Sequence, residues 1–234
     1  MPRPSFVIEQ NNATGTVSYW EAGENQSVAD ANGISLADYI HAMYFFIRKA
    51  KARRVLMIGC GGGTLATMLA RTGAEVTVVD VSARSFEIAR RFFALPAAVA
   101  CHVADGRAFL ARSGARYDAI ALDAYDGDAI PAQFLTPAFF ALAKSTLRPR
   151  GVFAMNIMVK DDHDRTPDRI ARTALTSFRH VRLLDTDGWI DRNAVLIAGS
   201  VASLPKPRLL MKPQRRARRL ASEIRELDFR ALRD

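Results

Sequence analysis

From residue 54 to residue 199, short apolar runs alternate with segments of helical periodicity. RVLMIG (54–59), EVTVVD (75–80), AAVACHV (97–103), YDAIALD (117–123) and GVFAMNI (151–157) are apolar stretches rich in β-branched residues, and they predict five buried strands. Between them TLATMLART, ARSFEIARRFF, GRAFLARS and PAFFALAKSTL repeat their apolar positions at helical spacing. Strand and helix alternating in this way imply a parallel sheet covered on both faces. A further helix is predicted over TPDRIARTALTSF, followed by strands at HVRLLDT and NAVLIAG. Only DGWIDR separates these two, which sets them antiparallel. The expected fold class is α/β, a Rossmann-like, mostly parallel seven-stranded sheet.

The first fifty residues have a different pattern. FVIEQ, GTVSYWEAG and QSVAD predict short strands joined by Asn/Gly turns, and ISLADYIHAMYFFIRKA (34–50) predicts a helix leading into the sheet. After Pro205, Pro207 and Pro213, the residues Ala217, Leu220, Ile224, Leu227 and Ala231 recur at helical spacing, a face expected to dock on the body or on a partner. Three units follow: a small β unit with its lead-in helix (1–50), a Rossmann-like nucleoside-binding catalytic domain (51–203) and a basic helical tail (204–234).

Composition adds limits. At 234 residues with 49% hydrophobic positions the chain can bury a sizeable core. The net charge of +9 is concentrated: from Leu204 onward there are ten Lys or Arg and four acids, so +6 lies in the tail and +3 in the body. That distribution fits a solvated basic helix rather than a nucleic-acid groove, and no nucleic-acid partner is expected. No run is long and apolar enough for a membrane span, and MPRPSFVIEQ lacks the apolar core of a signal peptide, so the expected location is cytoplasmic. Cys60 and Cys101 make neither a disulfide framework nor a zinc set, and no metal is expected. DDHDR (161–165) reads as a capped loop before a helix, and His102 as a packed strand residue.

The candidate chemistry lies at the strand ends. IGCGGGT (58–64) follows a strand and opens a helix, where glycines allow a tight turn and close backbone approach to a ligand. Gly59, Gly61 and Gly63 are spaced for this, but the last glycine of a dinucleotide fingerprint falls at Thr64, which disfavours a phosphate-binding loop. Asp80 ends the second sheet strand, where a carboxylate accepts both ribose hydroxyls. Asp105, followed by Gly106, ends the third, within reach of an adenine amino group. Either acid alone equally suits a helix N-cap. Together with the glycine loop they point to an adenosine moiety, and without a phosphate grip to a sulfonium nucleoside rather than NAD. Asp123 ends the fourth sheet strand, beside the glycine loop, in the crevice where open α/β sheets bind ligands.

Over residues 15–200 the sequence resembles the spermidine synthase family, the polyamine aminopropyltransferases, which have the class I S-adenosylmethionine-dependent methyltransferase fold. The family's GGGDGG loop corresponds to GCGGGT, its acid after the second strand to Asp80, its Asp-Gly pair to Asp105-Gly106 and its D-x-x-D segment to Asp123 and Asp126. Pro131, Leu135, Thr136, Phe139 and Phe140 match the pattern that follows, and Gln26 and Tyr39 match a Gln in the β unit and a Tyr on the next helix. The resemblance implies decarboxylated S-adenosylmethionine as donor, a small-molecule amine such as putrescine as acceptor, and methylthioadenosine as by-product. It implies Asp123 as general base assisted by Tyr39, with Asp126, Tyr125 and Gln26 binding the acceptor. It also implies a homodimer or homotetramer. Two family acids are replaced: the loop acid, which the resemblance implies grips the donor's amine, falls at Gly62, and the acid two positions beyond the helix Tyr, which it implies helps bind the acceptor, falls at His41. These replacements leave methyl transfer from S-adenosylmethionine, or nucleoside binding without catalysis, as alternative readings.

Overall fold

A computed structural model describes residues 6–201 and 203–233. Strands β1 (Phe6–Asn11), β2 (Thr16–Glu21) and β3 (Glu24–Asp30) form a three-stranded antiparallel sheet. Helix α1 (Asp38–Lys49) follows. The main sheet then alternates with helices: β4 (Arg54–Ile58), α2 (Thr64–Arg71), β5 (Glu75–Asp80), α3 (Ala83–Phe92), β6 (Ala100–Val103), α4 (Gly106–Arg112) and β7 (Tyr117–Leu122). A 3-10 turn at Ala132–Phe134 precedes α5 (Pro137–Thr146), β8 (Leu147–Val159), α6 (Thr166–Leu175), β9 (Val181–Asp185) and β10 (Arg192–Gly199). The tail forms α7 (Ala217–Glu226) and β11 (Asp228–Arg230).

The main sheet runs β11-β9-β10-β8-β7-β4-β5-β6, parallel from β8 to β6 and antiparallel through β10, β9 and β11. Alternation along the strands assigns side chains to two cores. Val55 and Met57 of β4 join the core under α1, α2 and α3, whereas Leu56 and Ile58 join the core under α4, α5 and α6. The small sheet packs Val17 and Tyr19 against Ile88 and Phe93 of the α3 region, which fixes its position over the sheet edge.

Three expectations change. The run AAVACHV yields a strand only over Ala100–Val103, and that strand is the exposed edge of the sheet rather than a buried one. His102 is accordingly exposed, its ring lying 4.9 Å from Phe109, not packed in the core. In the tail Leu220, Ile224 and Leu227 are buried as the helical face requires, but the helix ends before Ala231, which is exposed, and the chain adds an eighth strand to the sheet. Arg230 anchors that strand: it pairs with Asp168 at 2.8 Å and Asp185 at 3.0 Å, and Arg192 meets Asp185 at 2.8 Å. Asp30 ties down the other end of the tail by accepting from the Gln214 backbone N–H at 2.8 Å. Among the described residues no helix is long and apolar enough to cross a membrane.

Candidate active site

The parallel strands β4, β5, β6 and β7 end at one edge, and the glycine loop, Asp80, Asp105 and Asp123 meet there. The loop's shape is dictated by contact. Gly59 has φ +89°, and a Cβ on it would lie 2.0 Å from the Asp123 carbonyl oxygen, so β4 and β7 leave the sheet in direct backbone contact. At Gly62 a Cβ would meet the Ser27 Cβ at 2.8 Å and the Phe93 ring at 3.0 Å, while the Gly62 N–H donates to Ser27 Oγ at 2.8 Å. The small sheet thus occupies the space that a side chain at this loop position would need.

A cleft of about 520 Å³ follows the strand ends and is lined by Gly59, Asp80, Asp105, Gly106, Asp126 and Phe134. Asp80 accepts the Cys60 N–H at 2.7 Å and the Ser82 N–H at 2.8 Å, so one carboxylate both aims the glycine loop and lines the cleft. Burial raises its pKa against the pull of those two donors. Asp105 caps α4 by accepting the Ala108 N–H at 2.7 Å, and its other oxygen accepts from Gln133 Nε2 at 2.5 Å. Capping and cleft lining are therefore both true of this residue. Gly63, at φ +68°, is the left-handed N-cap of α2 and packs toward Ala89 and Leu95 instead of lining the cleft.

A smaller chamber of about 250 Å³ adjoins the cleft, bounded by the β2–β3 hairpin, α1, β8 and β10. Gln26, Cys60, Gly61, Asp123 and Tyr125 line both spaces. Asp123, half-buried at their junction, accepts from Asn156 Nδ2 at 2.9 Å and from the Tyr39 hydroxyl. Asn156 is fixed in turn by Asn193, whose Nδ2 donates to its Oδ1 at 2.9 Å. Burial raises the Asp123 pKa, and the two donors partly offset this by favouring the ionised form. Burial and the neighbouring Asp123 charge push the Tyr39 hydroxyl well above the usual phenol range, which keeps it a donor. The Tyr125 hydroxyl accepts from the Met158 N–H at 2.8 Å and donates to the Asn156 carbonyl at 3.2 Å.

Gln26, Tyr39, Asp123 and Tyr125 therefore surround one chamber. Asp126 does not line it; exposed in a two-residue bridge with Ala129, it stands on the rim of the larger cleft. Asp128 is exposed and lines neither space. His41 is buried at 1% exposure, with Nε2 bonded to the Ser35 carbonyl at 2.8 Å and its pKa lowered by burial, so the position of the second family acid holds a neutral ring. Cys60 is buried, which raises its thiol pKa and leaves it unsuited as a nucleophile. Asn156, Asn193 and Gln133 were not singled out from the sequence. The available signal was a lone amide inside the apolar run GVFAMNIMV, where burial requires a hydrogen-bond partner.

The likeness to known proteins is consistent with this arrangement. A methyltransferase-domain family profile matches residues 55–151. A probable polyamine aminopropyl transferase of Bifidobacterium longum is 31% identical over 139 residues, covering 58% of this chain and 31% of that protein. A polyamine aminopropyltransferase of Vibrio vulnificus is 29% identical over 184 residues, covering 74% of this chain and 58% of that one. The chain thus spans less than two thirds of the length of these relatives. Among solved structures, a probable spermidine synthase from Corynebacterium glutamicum superposes with a TM-score of 0.77 at 20% identity, covering 99% of this chain and 92% of that one, which shows the shared fold. The chain thus has the mostly parallel α/β fold of that solved structure, carries a methyltransferase-domain match over its central part, and is similar in sequence to polyamine aminopropyltransferases.

Proposed function

We propose that this chain transfers an aminopropyl group from decarboxylated S-adenosylmethionine to the nitrogen of an amine acceptor. The observation that carries the reading is the charge of the site. Glu21, Asp80, Asp105, Asp123 and Asp126 line the cleft, Glu24 and Asp123 line the chamber, and among the described residues no Lys, Arg or His lines either space. This holds in a chain of net charge +9. A donor that retained its amino-acid carboxylate would meet only carboxylates, whereas a decarboxylated sulfonium is a dication suited to them.

In this reading Asp80 accepts the ribose hydroxyls, Asp105 and Gly106 face the adenine, and Gly59, Gly61 and Gly63 shape the loop along the nucleoside. The sulfonium methylene lies where cleft and chamber meet, beside Asp123. Asp123 takes a proton from the acceptor's ammonium, with Tyr39 and Asn156 holding the carboxylate in place. The freed lone pair attacks the methylene carbon, the C–S bond breaks toward sulfur, and the products are methylthioadenosine and a secondary ammonium. Burial at Asp123 favours this transfer by raising its basicity. Gln26 and Tyr125 flank the acceptor, and Asp126 acts from the rim of the cleft.

Methyl transfer is a second reading, favoured by Gly62, where the family's donor-amine acid is absent and sterically excluded. Incubation with either donor and a panel of amines, followed by mass spectrometry, separates the two. Methylthioadenosine with an aminopropylated amine supports the proposal; S-adenosylhomocysteine with a methylated amine refutes it.

A further inference from the structure

On the side of the site, the ladder between β9 and β10 ends at the pair Leu184 and Val195. Beyond it β10 runs on through Ala194, Asn193 and Arg192, paired to β8 alone. That stretch holds Asn193, the amide that fixes Asn156 and lines the chamber, so its backbone is supported from one side only. Side chains take over where the ladder stops. Arg192 Nε donates to Asp185 Oδ1 at 2.8 Å. Its Nη2 reaches Asp185 Oδ2 at 3.2 Å and Asp162 Oδ1 at 3.0 Å, and its Nη1 donates to the Trp189 carbonyl. One guanidinium thus ties the end of β9, the β8–α6 connection and the β9–β10 connection to the start of β10.

The clamp is buried and charged. Its side chains are 8% exposed at Arg192 and 1% at Asp185. Burial works against the Arg192 charge, but hydrogen bonding and charge from Asp185, with charge from Asp162 and Asp187, prevail and hold its pKa above the ordinary value. The C-terminal segment backs the clamp. Arg230 donates to the second Asp185 oxygen at 3.0 Å, and Arg233 donates to the Asp162 carbonyl at 2.6 Å and to Asp187 at 2.5 Å. A buried ion pair adds little net stability over an apolar pair of the same volume; what the guanidinium fork adds is a fixed direction for every bond. Arg192 itself does not line the chamber.

We infer that Arg192 is a positioning residue: it fixes the start of β10 so that Asn193 holds Asn156, and through it Asp123, in place. Its bearing on turnover rests on the aminopropyl-transfer reading, whereas its effect on Asp123 does not.

The test is a double-mutant cycle of Arg192→Met and Asn193→Ala in the full chain, read on the carboxyl-carbon NMR titration of Asp123. The other titratable groups that face Asp123, Tyr39 and Tyr125, are both held above the usual phenol range and stay neutral through the titration. Arg192→Met loosens one neutral hydrogen bond, between Asn193 and Asn156, so the Asp123 pKa rises by about half a unit, about threefold in its ionisation. The acid limb of kcat/KM moves with it. In an Asn193→Ala background the same substitution has nothing left to act through, and the pKa stays where Asn193→Ala alone puts it. Additive shifts overturn the assignment, as does an Asp123 pKa that Arg192→Met leaves unmoved. Arg230 keeps Asp185 paired in this variant, and urea unfolding reports whether the fold survives. If it does not, Arg192→Lys carries the test, because it keeps the charge at Asp185 but cannot span the other two partners. It raises the Asp123 pKa by less than half a unit, and no rise overturns the assignment. If the cycle behaves as described yet wild-type protein forms no aminopropylated product, the transfer reading fails and the positioning role stands. If transfer occurs and the Asp123 pKa does not move, the positioning role fails alone.

Discussion

Replacing Asn156 with leucine tests how the proposed base is tuned. Asn156 is 4% exposed, and its amide is fixed from both sides: it accepts from Asn193 and donates to Asp123, each at 2.9 Å. Leucine is of similar size and removes the donor without opening a large cavity. A hydrogen bond to a charged acceptor contributes about 1.5–3 kcal/mol. Its loss falls on the ionised form of Asp123 alone, and at about 1.4 kcal/mol per unit the pKa rises by about one to two units. Tyr39 remains as the second donor, so ionisation is shifted, not abolished. In the pH dependence of kcat/KM the acid limb, which reports the base in the free enzyme, moves up by the same one to two units. The carboxyl-carbon NMR titration of Asp123 gives the shift without relying on turnover. Asn193→Ala leaves Asn156 in place and moves the limb less, because the half-exposed site lets water replace the lost amide. An Asn156→Leu limb that stays put or moves to lower pH refutes the tuning argument.

Three further outcomes follow from the same contacts. Asp123→Asn abolishes aminopropyl transfer yet stabilises the fold. Burial raises the carboxyl pKa, so the folded protein is penalised for holding it ionised at neutral pH. The mutant's gain, about 2–4 °C in Tm per kcal/mol relieved, is full above the folded pKa of Asp123. It vanishes once the pH falls below the ordinary carboxylate value; a lower Tm at pH 7 contradicts this. Arg230→Met leaves Asp168 and Asp185, with side chains 0% and 1% exposed, short of their counter-ion and destabilises the chain by about 3–5 kcal/mol in urea unfolding. Burial opposes ionisation of these two acids, but hydrogen bonds and charge from Arg230 and its neighbours prevail and hold both below the ordinary 3.8. Their contribution is therefore present above that value and lost as pH falls through the folded pKa, so the gap between wild type and mutant closes in acid. Gly62→Asp does not restore the family's donor grip: its Cβ collides with Ser27 and Phe93, so unfolding temperature drops and calorimetry with decarboxylated S-adenosylmethionine shows no gain.

Much of this architecture can be read from the chain, for identifiable reasons. The central strands are unbroken apolar runs because helices cover both faces, and the acids at their ends stand out against that background. The edge strand β6 misleads because AAVACHV has the composition of a buried strand although neighbouring structure covers little of it. Strand β11 is only DFR; its conformation comes from the free edge of β9 and the buried carboxylates that receive Arg230, not from local preference. The amide relay escapes pattern reading for a similar reason. Asn156 and Asn193 are single polar residues on separate strands, and only the antiparallel pairing of β8 and β10 brings them together. The D-x-x-D segment groups Asp126 with Asp123, but the turn after β7 leaves it on the rim of the larger cleft and outside the chamber.

A cleft whose only charged lining groups are carboxylates suits a donor lacking its own carboxylate. Supplying decarboxylated S-adenosylmethionine and S-adenosylmethionine together at equal concentration, with 1,4-diaminobutane, and quantifying both nucleoside products by mass spectrometry tests it most directly. Under aminopropyl transfer, methylthioadenosine accumulates with the aminopropylated diamine while S-adenosylhomocysteine stays at background. S-adenosylhomocysteine as the dominant product would contradict it.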